Sequence, residues 1–116
     1  MAKLITKEYN EQKVSFYFGT RVFALMETEM GIDDLSQMGE RFEKPKFSDI
    51  ATMLFLAHEN ACFMNKEDLV IESVDHIYGF IDEIGIDEAQ EILSDGISAL
   101  MNVKADNSKK KPKVKP

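Results

Sequence analysis

Residues 57–62 read AHENAC, the one spacing in the chain that looks like catalytic chemistry. In the zinc-hydrolase pattern HExxH, two histidines one helical turn apart ligate the metal and the glutamate polarises its water. Here Cys62 stands four residues after His58, with Glu59 between them. The two could ligate together, but a metal needs at least a third protein ligand. The other histidine is His76. At 100° per residue, His58 lies ~60–80° from the centre of its helix's apolar face and His76 well over ~90° from the centre of its own. Helices packed through those faces would hold the two rings apart. The expectation is therefore no metal and no cofactor, with a boundary histidine beside a buried free cysteine. A small metal-binding protein using His58 and Cys62 is the minor alternative.

No other residues take up a chemical pattern. The run IDEIGIDEAQE at 81–91 is acidic, but an EF-hand loop needs oxygen ligands at its first, third and fifth positions. Counted from Asp82, the third and fifth are Ile84 and Ile86. These carboxylates read as solvated faces and helix N-terminal charges. The chain contains no P-loop, no GxGxxG and no GxSxG, and Ser48, Ser73 and Ser94 sit in no nucleophile motif. No catalytic residue is assigned, and the expectation is a non-enzymatic protein.

The elements that would position these residues follow from periodicity. Residues 3–8 and 13–18 read as two strands, the second aromatic and partly β-branched, joined through YNEQ. Thr20 is placed to cap a helix over 21–30, closed by Gly31. A short helix at 33–43 carries Leu35, Met38 and Phe42, with Asp33 or Asp34 at its positive end. Pro45 breaks the pattern. Ser48 is the next candidate cap, for a helix to about 64 with the stripe Ile50, Leu54, Ala57 and Ala61. A fourth helix is expected over 67–84, with Val70, Val74, Ile77, Ile81 and Ile84 on one face and a stop at Gly85. Asp87 would cap a fifth, to about 102, whose apolar face includes Ala89, Ile92, Leu93 and Ile97. The predicted fold is α+β and mostly α: an N-terminal β-hairpin followed by four or five packed helices, as a single domain over 1–103.

The central helix, 48–64, is apolar nearly all round. Leu56 and Phe63 fall on the side of Thr52 and Glu59, away from the core stripe. Such a helix is either enclosed by its own domain or shares an interface with another chain. Met26, Met30 and Met38 have the spacing of a packed helix face, although methionine also suits adaptable binding surfaces. Leu56, Phe63, Met26 and Met30 are the candidate partner-binding residues.

Charge is unevenly distributed. Residues 1–103 hold 20 acidic against 8 basic side chains, a net of −12, while 104–116 hold 6 lysines and 1 aspartate, +5. An acidic body disfavours nucleic acid, whose phosphates need cations, so only the tail KADNSKKKPKVKP could engage it. That segment is low in complexity and too poor in apolar residues to offset its ordering entropy, so disorder is expected over 104–116. One cysteine rules out an internal disulfide framework and suits a reducing compartment. The N-terminus has no signal-peptide h-region, and no apolar run reaches bilayer length.

The order of elements resembles the tail assembly chaperones of long-tailed bacteriophages, with their prophage and gene-transfer-agent relatives. The resemblance rests on Phe18-Gly19 at the end of a strand, then Leu25-x-Glu27 in a helix closing at Met30-Gly31-Ile32. The later segment FSDIATMLFLA is similar to the family's capped, very apolar second helix. About residues 5–102 are covered. The resemblance implies a non-enzymatic protein of the bacterial host cytoplasm, absent from the mature virion. It would bind the tail tube protein and the tape measure protein, with self-association open. It also implies that a longer frameshifted form could arise near Lys109-Lys110-Lys111. Another phage connector or structural subunit is the alternative of the same class.

Overall fold

The computed structural model describes residues 3–109, and the side chains of that stretch apart from Leu35 and 101–109. Among them are two strands, β1 (Lys3–Tyr9) and β2 (Gln12–Phe18), and five helices: α1 (Thr20–Met30), α2 (Leu35–Glu43), α3 (Phe47–Asn65), α4 (Val74–Ile84) and α5 (Ile86–Lys109). The fold is α+β and mostly helical, as the sequence predicts.

The strands pair antiparallel, from Lys3 opposite Phe18 to Tyr9 opposite Gln12. The connection is tighter than the expected four-residue loop. Asn10 and Glu11 both take positive φ, 53° and 64°, the geometry of a type I′ turn. Alternation then divides the hairpin. Val14, Phe16 and Phe18 are fully buried on one face, and Thr6 and Ser15 share a hydrogen bond of 3.1 Å on the other.

Helix boundaries correct several expectations. Thr20 does not cap α1: Gly19 holds the cap position and no side chain bonds there. The close at Gly31 is as predicted, with φ 65° and Ile32 N–H donating to the Glu27 carbonyl at 3.1 Å. Asp34 caps α2, accepting from Gln37 N–H at 3.0 Å. Ser48 does not cap α3, because the helix begins one residue before it. Asp49 closes that end instead, accepting from the Lys46 N–H at 3.1 Å and from Arg41 at 3.1 Å. Arg41 also donates to the Met30 carbonyl at 3.0 Å, so one side chain ties the end of α1 and the start of α3 to α2.

The fourth helix starts at Val74, not 67, with Ser73 accepting from His76 N–H. Residues 66–73 form a loop, opened by Lys66 at φ 58° with Glu67 N–H on the Cys62 carbonyl. Ile71 turns inward there and is 1% exposed. α4 stops at Gly85 as predicted, with φ 93°. α5 begins at Ile86 and runs past the expected end near 102, to Lys109. For the expected disordered tail, 104–109 are therefore helical in backbone, and 110–116 lie outside the described residues.

α3 is the hub, with α1, α4, α5 and β2 all packed against it. The core joins its apolar residues to Phe16, Phe18, Val22, Met26, Ile77 and Phe80. Phe80, absent from the predicted α4 stripe, meets the rings of Tyr9 and Phe16 at 5.5 and 5.4 Å. On α5, Gly96 lets the backbone approach Phe18 so closely that a Cβ would lie 2.1 Å from its ring.

Candidate functional site

The atoms of the His58–Cys62 pair are committed to contacts within the chain. His58 is 1% exposed, so it is not the boundary residue that the wheel implies. Its Nδ1 lies 2.9 Å from the Ser15 carbonyl, which can only accept, so Nδ1 carries the proton. Nε2 then accepts from the backbone N–H groups of Val70 and Ile71, at 3.1 and 3.2 Å. A metal would need that Nε2 lone pair, which here holds the loop 66–73 onto α3. Burial lowers the His58 pKa below its ordinary value, against the opposing pulls of the Ser15 bond and Glu59.

Cys62 is buried, with Sγ 3.8 Å from His58 Nε2 and 3.5 Å from the Asp68 carbonyl. Burial first, then the charge of Glu67, raises its pKa, which keeps the unreactive thiol form. His76 is exposed on α4. The described residues contain no cluster of three or more His, Cys, Asp or Glu side chains able to hold a metal.

Asn60, also 1% exposed, repeats the role of His58 two residues further along α3. It donates to the Tyr17 carbonyl at 3.0 Å and accepts from Arg21 at 3.0 Å. Ser15 and Tyr17 are alternate residues of β2, whose backbone groups turn to the same side of the strand. Two polar side chains of α3 thus cap carbonyls along the edge of β2 that β1 does not use. An uncapped edge would be open to pairing with other chains.

The candidate partner-binding residues separate. Leu56 is 5% exposed and Met26 fully buried. Both belong to the core cluster, and this corrects their assignment to a contact surface. Packing of neighbouring elements all round α3 covers the side on which the wheel left Leu56 open. Met30 is half-buried against that core. Phe63 is 61% exposed, and the Arg21 guanidinium lies 4.1 Å from its ring centroid, a cation–π contact.

Phe63 has company that periodicity did not single out. Met64 and Leu4 are also exposed, and a groove of about 200 Å³ is lined by Leu4, Tyr17, Ala61 and Met64. Leu4 and Tyr17 of the hairpin and Ala61 and Met64 of α3 thus line an apolar groove, and exposed Phe63 is the chain neighbour of Met64. A second apolar surface surrounds Phe47 at the other end of α3, ~24 Å away along the helix axis at 1.5 Å per residue. Phe47 falls in phase with the core stripe, so no pattern in the sequence marks it as exposed. Its position in the first turn carries it beyond the elements that cover Ile50 and Leu54.

No described helix is long and apolar enough to cross a membrane. Comparison of the chain with protein-family models, with curated proteins and with solved structures finds no match in any of the three.

Proposed function

We propose that this chain is a tail assembly chaperone of a long-tailed phage or prophage. It acts without catalysis, binding the tail tube and tape measure proteins in the bacterial cytoplasm and staying out of the finished particle. The observation that carries the reading is the apolar surface of Leu4, Phe63 and Met64 on an otherwise acidic body. An acidic body self-repels and stays soluble. Methionine beside aromatic and aliphatic side chains suits partners that present irregular apolar segments. The hairpin-then-helices order that the resemblance implies gives the reading further support. So does the use of His58 and Cys62 for internal contacts, which leaves binding as the simpler role.

The test is co-expression with the tube and tape measure proteins from the same genome. Co-purification with either partner, and a rise in its soluble fraction, are the expected results. Phe63→Asp combined with Leu4→Asp should lose both effects while the far-ultraviolet circular dichroism stays unchanged. Stoichiometric presence in purified particles would point instead to a connector or minor structural subunit.

A further inference from the structure

The largest fractional exposure of any big apolar side chain described is that of Phe47, 70%. It opens α3 and stands between two shallow grooves. One, of about 340 Å³, is lined by Tyr78, Ile81 and Ile86 with Asp82 at its rim. The other, of about 490 Å³, is lined by Pro45, Ile50 and Ile86 with Lys46 at its rim. An apolar knob beside an apolar hole on one face is what an isologous interface requires, since each copy can seat its knob in the other's hole.

The charges agree with that arrangement. Lys46 is the chain neighbour of Phe47, and both Lys46 and Asp82 are exposed. Neither forms an ion pair within the chain among the described residues. If Phe47 enters the groove beside Asp82 of a second copy, Lys46 is carried to that carboxylate, and two-fold symmetry repeats the pair. The face thus offers a second copy an apolar knob, an apolar groove and one exposed charge of each sign. We propose that this face docks a second copy of the chain as a two-fold dimer, with Phe47 as the anchor and Lys46–Asp82 as the pair that sets orientation. This dimer goes beyond the chaperone reading and does not depend on it, since Leu4, Phe63 and Met64 lie at the other end of α3.

Sedimentation velocity of the full chain over a concentration series tests the proposal. A reversible dimer is expected for the wild type, and a monomer for Phe47→Glu at the same concentrations. Lys46→Asp or Asp82→Lys alone should weaken the dimer by about tenfold, through like charges brought face to face. The two reversals together should restore it. Should Phe47→Glu fail to fold, the charge reversals decide, because both side chains are exposed. A wild type still monomeric near about 1 mM, the weak end of specific association, would overturn the proposal and leave the face to another partner. So would a dimer that survives Phe47→Glu, or single reversals that the double variant does not rescue.

Discussion

Protonating His58 would take away the acceptor that holds the Val70 and Ile71 N–H groups. Its folded pKa lies below the ordinary 6.5 because burial outweighs the Ser15 bond and Glu59. As pH falls, the unfolded chain therefore binds the proton first. The stabilisation from neutral His58 is complete above pH 6.5 and declines from there toward the lower native value. The loss is at most about 1.4 kcal/mol per pH unit for one proton. Urea denaturation at about pH 7.5 and about pH 5.5 should show this decline in the wild type and a flatter response in His58→Gln. Glutamine can donate to Ser15 and accept from the loop, yet does not titrate. His58→Ala should cost about 3 kcal/mol, because it leaves one carbonyl and two N–H groups unpaired beside a cavity. An alanine variant as stable as wild type would show that the loop does not depend on this ring.

At the scale of the element, two positions set sequence preference against local geometry. Glu11 occupies the second turn position at φ 64°, where a residue with a Cβ is strained and glycine is favoured. Glu11→Gly would complete an Asn-Gly turn and should raise stability by about 1 kcal/mol; an unchanged thermal midpoint would contradict the turn assignment. Gly96 is the opposite case. Helix propensity alone predicts that Gly96→Ala stabilises by about 1 kcal/mol. The buried Phe18 ring fills the space a methyl would need, so the variant should instead lose about 2 kcal/mol through overpacking. The sign of that change, read by denaturation, distinguishes close packing of α5 on the hairpin from a helix free to shift.

For the whole molecule, the useful contrast lies along α3. Leu56 and Phe63 share a side of the helix wheel and differ in burial, 5% against 61% exposed. Leu56→Asp should unfold the chain, since it buries an unpaired carboxylate in the core. Phe63→Asp should leave the circular dichroism and the thermal midpoint close to those of wild type, with a loss limited to the Arg21 contact, about 0.5–1 kcal/mol. If both variants unfold, the end of α3 is not a free surface and the proposed partner contact there is wrong.

By itself the sequence determined the hairpin, the order of the helices, the glycine stops at 31 and 85 and most of the core stripe. Those features follow from local φ preferences and from side-chain periodicity, which need no knowledge of what lies across the core. It did not determine where α4 begins, because Val70 keeps the helical phase although its N–H is spent on His58. Nor did it show what His58 does. A wheel gives the direction of a ring and cannot tell that a loop folds back to use its second nitrogen. The same limit misplaced Leu56 and Met26 on a contact surface and gave no sign of Phe47. Whether an apolar side chain is covered depends on the elements around it, and only the packing of α1, α4, α5 and the hairpin about α3 decides that. That packing encloses the middle of the helix and leaves both of its ends exposed.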